Sequence, residues 1–461
     1  MSTLLRHTPV EITERQALSI NPAKTCQPIG AMYASLGIHG CLPHSHGSQG
    51  CCAYHRSALT RHYKEPISAG TSSFTEGSSV FGGQSNLLAA IQNMFTVYEP
   101  EVIAVHTTCL SETIGDDVPQ IVDKADKEGK IPAGKHVVSA STPSYVGSHV
   151  TGFANMVKGM IKGLAKPKTK PNGKVNILPG YVEPSDMAEV KRLAKMMGVK
   201  TICIPDTSGV TNGPLTGEYK MYPDGGVTVA ELQDCSNSKG TIAMGFWASA
   251  DGARYLDTEY KVPCSILELP IGLGCTDAYV DALRTIAGAA VPKEIEFERG
   301  QLVDMISDYH QYFYRKKVAL VGDPDQLVAL TDFLVSLDML PIHIVTGSPA
   351  GKRFVGKIDE ITKDIGYKVN VREHGDMFLL HQWIKQDKPD LIIGNSYAKY
   401  IARDEDIPLV RHGFPIVDRV GHQYFPTTGY RGGMRLIEKI VDALLTRTER
   451  DAPVETFELV F

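Results

Sequence analysis

The chain has 461 residues, 43% of them hydrophobic and 21% charged, with a net charge of −5. That length exceeds one core and suggests about three domains of roughly 150 residues. Composition and charge exclude nucleic acid or an anionic membrane as natural partners. No apolar run approaches the ~18 residues of a membrane span, and the first twenty residues, with Arg6, Glu11, Glu14 and Arg15, lack the apolar centre of a signal peptide. A cytoplasmic protein is expected. Nine cysteines, an odd number spread over a long chain, argue against a disulfide framework.

Residues 1–20 read as a short helical or irregular lead-in. The stretch Asn21 to Arg56 then holds four of the nine cysteines (Cys26, Cys41, Cys51, Cys52) and four of the fifteen histidines (His39, His44, His46, His55). PIGAMYASL reads as a helix with Pro28 at its first position. A second helical run follows Cys52. SNLLAAIQNMF reads as a helix with Ser85 as candidate N-cap. EVIAVHTTC is an apolar strand ending on Cys109. LSETIGDDVPQIVDKAD reads as one helix, KHVVSAST as a strand ending near Ser144, and HVTGFANMVKGMIKGLA as a helix. Lys166 to Lys174, with four lysines and two prolines, is the clearest linker.

After it, strand and helix patterns alternate. VNILPG, KTICIPD, TIAMGF and CSILELP are strands, with helices at PSDMAEVKRLAKMMG and TDAYVDALRTIAGAA. A second boundary falls near Val291-Pro292, before the long helix IEFERGQLVDMISDYHQYFYRK. VALVGD, PIHIVTG, KVNVRE, DLIIGN and PLVRHGFP are then strands, with helices between them and a closing helix at RGGMRLIEKIVDALLTR. This alternation predicts an α/β protein of three doubly wound, Rossmann-like domains with mostly parallel sheets, over 1–166, 174–292 and 293–461. Ligands of such folds bind beyond the carboxyl ends of strands, where Cys109 and Ser144 fall.

Three apparent nucleotide motifs fail. GSPAGKR at Gly347–Arg353 is one residue short between its glycines and has Arg353 where Ser or Thr belongs, so it reads as a surface turn. Gly272 and Gly274 are followed by Asp277 where a dinucleotide fingerprint needs its third glycine. GDPD at Gly322–Asp325 reads as a helix start with Asp323 as cap. Cys203 and Cys264 lie in apolar runs and read as buried core thiols.

Cys26, Cys51 and Cys109 share one context, at or just before a predicted helix start. Unpaired amides and the helix dipole lower a thiol pKa there, and a thiolate is what iron or zinc binds. Neighbouring glycines let backbone approach an inorganic sulfide. The alternatives are unliganded loop thiols, a zinc site from Cys41, His44, His46 and Cys51 whose spacing fits no common finger, or iron–sulfur. Three cysteines are one short of the usual four, which Ser144 or a partner subunit could complete.

The blocks INPAKTCQPIGAMY, HGSQGCCAYHR, SSVFGG, HTTCLSETIGDD, TPSYVGSHVTG, ERGQLVDMISD, ALVGDPD and RHGFP, in this order from Ile20 onward, resemble the β chains of the nitrogenase molybdenum–iron protein family. The resemblance implies an α2β2 assembly that, with ATP and a separate iron protein supplied by reduced ferredoxin or flavodoxin, reduces dinitrogen to ammonia. It implies an 8Fe-7S P-cluster shared between α and β chains, with Cys26, Cys51 and Cys109 as this chain's thiolates. Ser144 corresponds to a serine that can bind iron in the oxidised cluster, and Gly50 and Tyr54 to cluster surroundings. The iron–molybdenum cofactor belongs to the α chain alone. ATP belongs to the iron protein, in keeping with the failed phosphate loop.

By the same resemblance, Phe81 lies on the surface that docks the iron protein, although a lone Phe is ordinarily core. Asp304 and Asp308, four apart on a helix, and Glu65 are implied ligands of a calcium or iron cation between two β chains; read alone, the aspartates are a solvated acidic face. A related cofactor-assembly scaffold is the nearest alternative, and a zinc-binding structural or regulatory protein the alternative of another class. Three departures stand out. Only 25 residues precede Cys26, so the long N-terminal arm of some β chains is not expected. Cys52 doubles the cluster cysteine and reads as a packed thiol. His55 stands where an aromatic is common.

Overall fold

A computed structural model of the chain describes residues 7–13, 21–218 and 220–459. Of the lead-in expected over 1–20, only 7–13 fall among these, and they are largely irregular; the rest of that expectation lies outside the described residues. By contacts the chain gathers into two compact units. One comprises Thr25–Leu267 with Tyr279–Val291, the other Met1–Lys24, Glu268–Ala278 and Pro292–Phe461. Among the described residues no helix is long and apolar enough to cross a membrane.

The first unit opens with α1 (Gln27–Leu36), β1 (Cys41–His46), α2 (Gln49–Tyr63), β2 (Gly70–Thr71), α3 (Glu76–Phe81) and α4 (Gln84–Tyr98). It continues through β3 (Val102–Thr107), α5 (Cys109–Ile114), α6 (Val118–Lys127), β4 (His136–Ala140) and α7 (His149–Leu164). Its four-stranded sheet has the order β2-β1-β3-β4 and is parallel throughout. Strand order reverses direction between β1 and β3, which makes their carboxyl ends the switch point of a doubly wound sheet. Leu42, Ile103 and Val105 pack under Leu87, Ile91 and Phe95 of α4 and Ile121 of α6. α1 and α7 lie against each other and against the strands.

β1 is absent from the expected strands, yet all six of its residues are buried. Pro43 and two histidines hide it, because proline is depleted in central strands and the run has no β-branched residue. The single helix expected over 110–126 is two helices. Gly115 ends α5 in a left-handed conformation (φ 79°), and Asp117 caps α6 by accepting from the Gln120 amide. The cap of α4 is Gly83, not Ser85.

The same unit continues with β5 (Val175–Leu178), α8 (Pro184–Met196), β6 (Thr201–Cys203), α9 (Val229–Asp234), β7 (Gly240–Met244), α10 (Phe246–Tyr260) and β8 (Cys264–Leu267). The strands form a second parallel sheet in the order β6-β5-β7-β8. The stretch 166–174 has no regular structure but is tied down, with the Thr169 amide donating to Asn237 Oδ1 at 2.7 Å. Cys203 is a buried thiol as expected, whereas Cys264 is only half-buried.

Next come α11 (Gly272–Ala287), α12 (Lys293–Phe313), β9 (Lys317–Gly322), α13 (Pro324–Ser336), β10 (Leu340–Thr346), α14 (Gly351–Thr362) and β11 (Asn370–Arg372). α15 (Met377–Gln386), β12 (Leu391–Gly394), α16 (Lys399–Asp404), β13 (Leu409–Arg411) and α17 (Gly429–Asp451) complete the chain's longer elements. The third sheet, β11-β10-β9-β12-β13, is again parallel. Asp323 stands at the N-cap position of α13, without a side-chain hydrogen bond to the helix amides, and Pro324 is in the first turn. The GSPAGKR segment is less a surface turn than a helix entry, since Ser348 and Ala350 are buried. Glu373 Oε2 takes the amides of Ala350 and Gly351 at 3.2 and 3.3 Å, so a carboxylate already fills the place a phosphate would need.

Candidate metal centre

Each candidate ligand is placed by the end of an element. Cys26 is the N-cap of α1, with extended backbone (φ −141°, ψ 168°). Cys51 lies in the first turn of α2, five residues beyond the carboxyl end of β1. Cys109 is the first residue of α5, directly after β3 and the cap Thr108. Ser144 lies in the turn between β4 and α7. Three of the four therefore sit beyond carboxyl ends of parallel strands, around the switch point.

Their side chains converge. Ser144 and the sulfurs of Cys51 and Cys109 all act on the Cys26 thiol, and Cys109 acts on that of Cys51. None of the three cysteines is in a disulfide. Burial pushes the Cys26 thiol up to about 11, with Ser144 and the Ile29 amide pulling it down and the other two sulfurs adding to the rise. Cys51 is raised as well, first by burial and then by Cys109. The lowered thiol pKa expected at a helix start is thus overturned for these two. Desolvation and like neighbours outweigh the dipole. Three crowded sulfurs that resist ionising together are stabilised as thiolates by a cation placed among them.

Residues beside Cys26 hold the site together. Thr25 Oγ1 is 2.7 Å from His149 Nδ1 at the start of α7. Gln27 Nε2 donates to Pro143 O at 3.0 Å and also to Val146 O, clamping the turn that carries Ser144. Asn155 Nδ2 donates in turn to Gln27 Oε1 at 3.1 Å. Gln27 is not a ligand type, and its place after Cys26 is its only sequence signal. In the same turn Gly147 has φ +83°, and a Cβ there would stand 2.3 Å from Thr151 Oγ1.

Other candidates separate more widely. A Cβ on Gly50 would meet only Ser48 Oγ at 3.6 Å, so this glycine is not crowded. Tyr54 is half-exposed and faces away from the buried side of α2. Cys52 is buried, donating to Gly70 O, and is the packed thiol expected. Cys41 points to the opposite face of β1 from His44 and His46, so the four-residue zinc set does not form. His44 Nε2 and His46 Nδ1 instead both reach Ser72 Oγ at 2.8 Å, and His106 Nε2 reaches Ser45 Oγ at 2.7 Å.

Phe81 ends α3 with 90% of its surface exposed, beside Val80, so the ordinary core role does not apply to it. Asp304 and Asp308 are exposed on α12. Glu65, half-buried, follows Lys64, which ends α2 in a left-handed conformation (φ 60°).

Comparisons with known proteins identify the family. A family model described as nitrogenase component 1 type oxidoreductase matches residues 26–445. The nitrogenase molybdenum-iron protein beta chain of Clostridium pasteurianum is 54% identical, over 99% of this chain and 100% of its own length. That of Azotobacter vinelandii is 38% identical over 95% of this chain and 86% of its own. A solved structure, nitrogenase Cp1 at pH 6.5, matches with a TM-score of 0.97 at 54% identity, covering 99% of this chain and 100% of that one. Likeness of this extent, running from the first candidate ligand into the last long helix, means that the chain belongs to the nitrogenase component 1 oxidoreductases, among the beta chains of molybdenum–iron proteins.

Proposed function

We propose that Cys26, Cys51, Cys109 and Ser144 form this chain's half of an 8Fe-7S P-cluster site, completed by three thiolates of an alpha chain. The observation that carries this reading is the convergence of three free thiols and one hydroxyl at a sheet switch point. The donor set fits the group. Soft sulfur ligands with no carboxylate among them suit iron–sulfur. Tyr145 and Val146, beside Ser144, are 67% and 55% exposed, an apolar rim suited to cover by a partner chain.

When bound, the cluster supplies one-electron storage between an iron protein and the iron–molybdenum cofactor of the alpha chain. This chain's residues supply the rest. The cysteines hold iron as thiolates. Gln27 and Thr25 fix the entry angle of α1 and the Ser144 turn. Ser144 Oγ would have to release its proton before its oxygen could hold iron, so ligation there would couple electron and proton movement. Phe81, projecting from α3, provides an apolar anchor for the iron protein. Asp304, Asp308 and Glu65 supply hard oxygen ligands for a calcium or iron cation between two copies of the chain in an α2β2 assembly. Nine free cysteines support a reducing, cytoplasmic setting.

The test is Cys51→Ala in the intact complex, with iron content, EPR and ATP-dependent reduction of dinitrogen and acetylene measured together. Loss of cluster iron and of dinitrogen reduction is expected. Full activity with normal iron content overturns the reading.

A further inference from the structure

His55 stands four residues after Cys51, so both side chains share one face of α2. Its ring is 2% exposed, and its Nε2 lies 3.6 Å from Cys26 Sγ. Its other nitrogen, Nδ1, is buried with no hydrogen-bond partner among the described residues. We propose that His55 donates its Nε2–H to the Cys26 sulfur and thereby raises the reduction potential of the cluster held there. This rests on the reading that Cys26 is a cluster ligand.

The direction of the hydrogen bond follows from chemistry. A ligating sulfur has lost its proton and can only accept. The facing Nε2 must then carry the ring hydrogen. Nε2 has the sulfur as its partner and Nδ1 has none, so a single ring N–H is what the surroundings satisfy. With that hydrogen on Nε2, the unpartnered Nδ1 is a bare lone pair. The other tautomer would bury an unpaired N–H, an unsatisfied donor.

The effect on the cluster follows from charge. Reduction adds negative charge that spreads onto the ligating sulfurs. An N–H dipole aimed at one of them stabilises the more negative state, and hydrogen bonds to sulfur are among the factors that set cluster potentials. Ser144, in the β4–α7 turn, also acts on this sulfur. The two groups come from different elements, so the imidazole would stay in place were the hydroxyl to give up its proton and hold iron. His55 is thus a tuning residue, not one that holds iron.

The test uses the intact complex with its alpha chain. His55→Phe removes the donor and keeps a ring of similar volume, while His55→Gln keeps an N–H. Midpoint potentials are read by EPR-monitored redox titration, with iron content measured for each protein. The Phe variant is expected to shift to a more negative potential at parental iron content, and the Gln variant to stay near the parent. A fully loaded Phe variant at the parental potential overturns the proposal. If the Phe variant fails to load, the parent labelled with 15N-histidine decides. Pulsed EPR of its oxidised cluster is expected to show a ring-nitrogen coupling that disappears in the Gln variant, and absence of that coupling overturns the proposal. A parent protein without iron would instead overturn the cluster reading itself.

Discussion

Asp116 lies 3.0 Å from His46 Nε2, and the same carboxylate takes the backbone N–H of Gly83 at 3.0 and 3.1 Å. Three segments meet at this one side chain. His46 ends β1, which leads to Cys51. Asp116 follows α5, which begins with Cys109. Gly83 comes two residues after the exposed Phe81. Burial holds His46 below its usual pKa, with Asp116 opposing, so the contact is a charge-assisted hydrogen bond. Asp116→Ala strands a buried imidazole nitrogen and a backbone N–H, and should cost about 2–3 kcal/mol, the scale for hydrogen bonds to a charged group. Asp116→Asn, which still accepts from Gly83, should recover much of this. Thermal unfolding of the three proteins checks it, and an unchanged midpoint in the Ala variant would show that the knot contributes nothing.

Phe81 separates docking from folding. With 90% of the residue exposed, Phe81→Ala should change stability by less than about 0.5 kcal/mol. If the side chain anchors the iron protein, the same change should raise the iron-protein concentration needed for half-maximal turnover by roughly 30-fold, the scale of a 2 kcal/mol hot spot. Titrating activity against iron protein at fixed ATP reads this directly. A variant with parental titration and parental stability would remove Phe81 from the docking surface.

The helix-start placement of Cys26, Cys51 and Cys109 was legible from Pro28, from the glycine before Cys51 and from the strand before Cys109. So was the doubly wound pattern, because buried parallel strands read as short apolar runs between amphipathic helices. Strand β1 was not legible. Its apolar neighbours come from β3 and α4, and the partners of its histidines, Ser72 and Asp116, are 26 to 70 residues away in sequence. The same distance hides the clamp of Gln27 on the Ser144 turn, 116 residues apart from Pro143. Local chemistry marks where a ligand can start a helix. It does not show which distant polar group will satisfy a buried one, nor that burial will overcome the helix dipole at Cys26.

Acid should unfold the chain partly through histidines buried in their neutral form. His412 is held down to about 3 by burial, with Lys439 adding to the effect, and its Nε2 lies 2.8 Å from Gln326 Oε1. An unfolded histidine titrates near 6.5. The unfolded state therefore binds the extra proton first as pH falls. The stability from neutral His412 is complete above pH 6.5 and is lost progressively toward pH 3. His412→Gln should reduce the slope of unfolding free energy against pH by up to about 1.4 kcal/mol per unit between pH 6.5 and 4. Denaturant titrations across that range measure it. Equal slopes in parent and variant would mean that another group carries the proton uptake.

The closest approach behind the metal centre is made by glycine. A Cβ on Gly152 of α7 would lie 1.8 Å from Gln27 O, and one on Gly30 of α1 would lie 1.7 Å from His149 O. Neither neighbour is a flexible side-chain end, so the helices themselves must separate. α1 starts at Cys26 and Gln27, and the turn before α7 carries Ser144. Gly152→Ala should therefore both destabilise the protein, by about 1–3 kcal/mol or more as an overpacking change, and loosen the Gln27 clamp on that turn. The paired readouts are unfolding midpoint and iron per complex. Gly115→Ala serves as the control, since it has open space for a Cβ and lies outside the α1–α7 contact, although its left-handed backbone (φ +79°) gives a strain cost of its own. Loss of stability in both variants with loss of iron only in Gly152→Ala is the expected pattern. Full iron in Gly152→Ala would show that the cluster ligands tolerate a shift of the helices that present them.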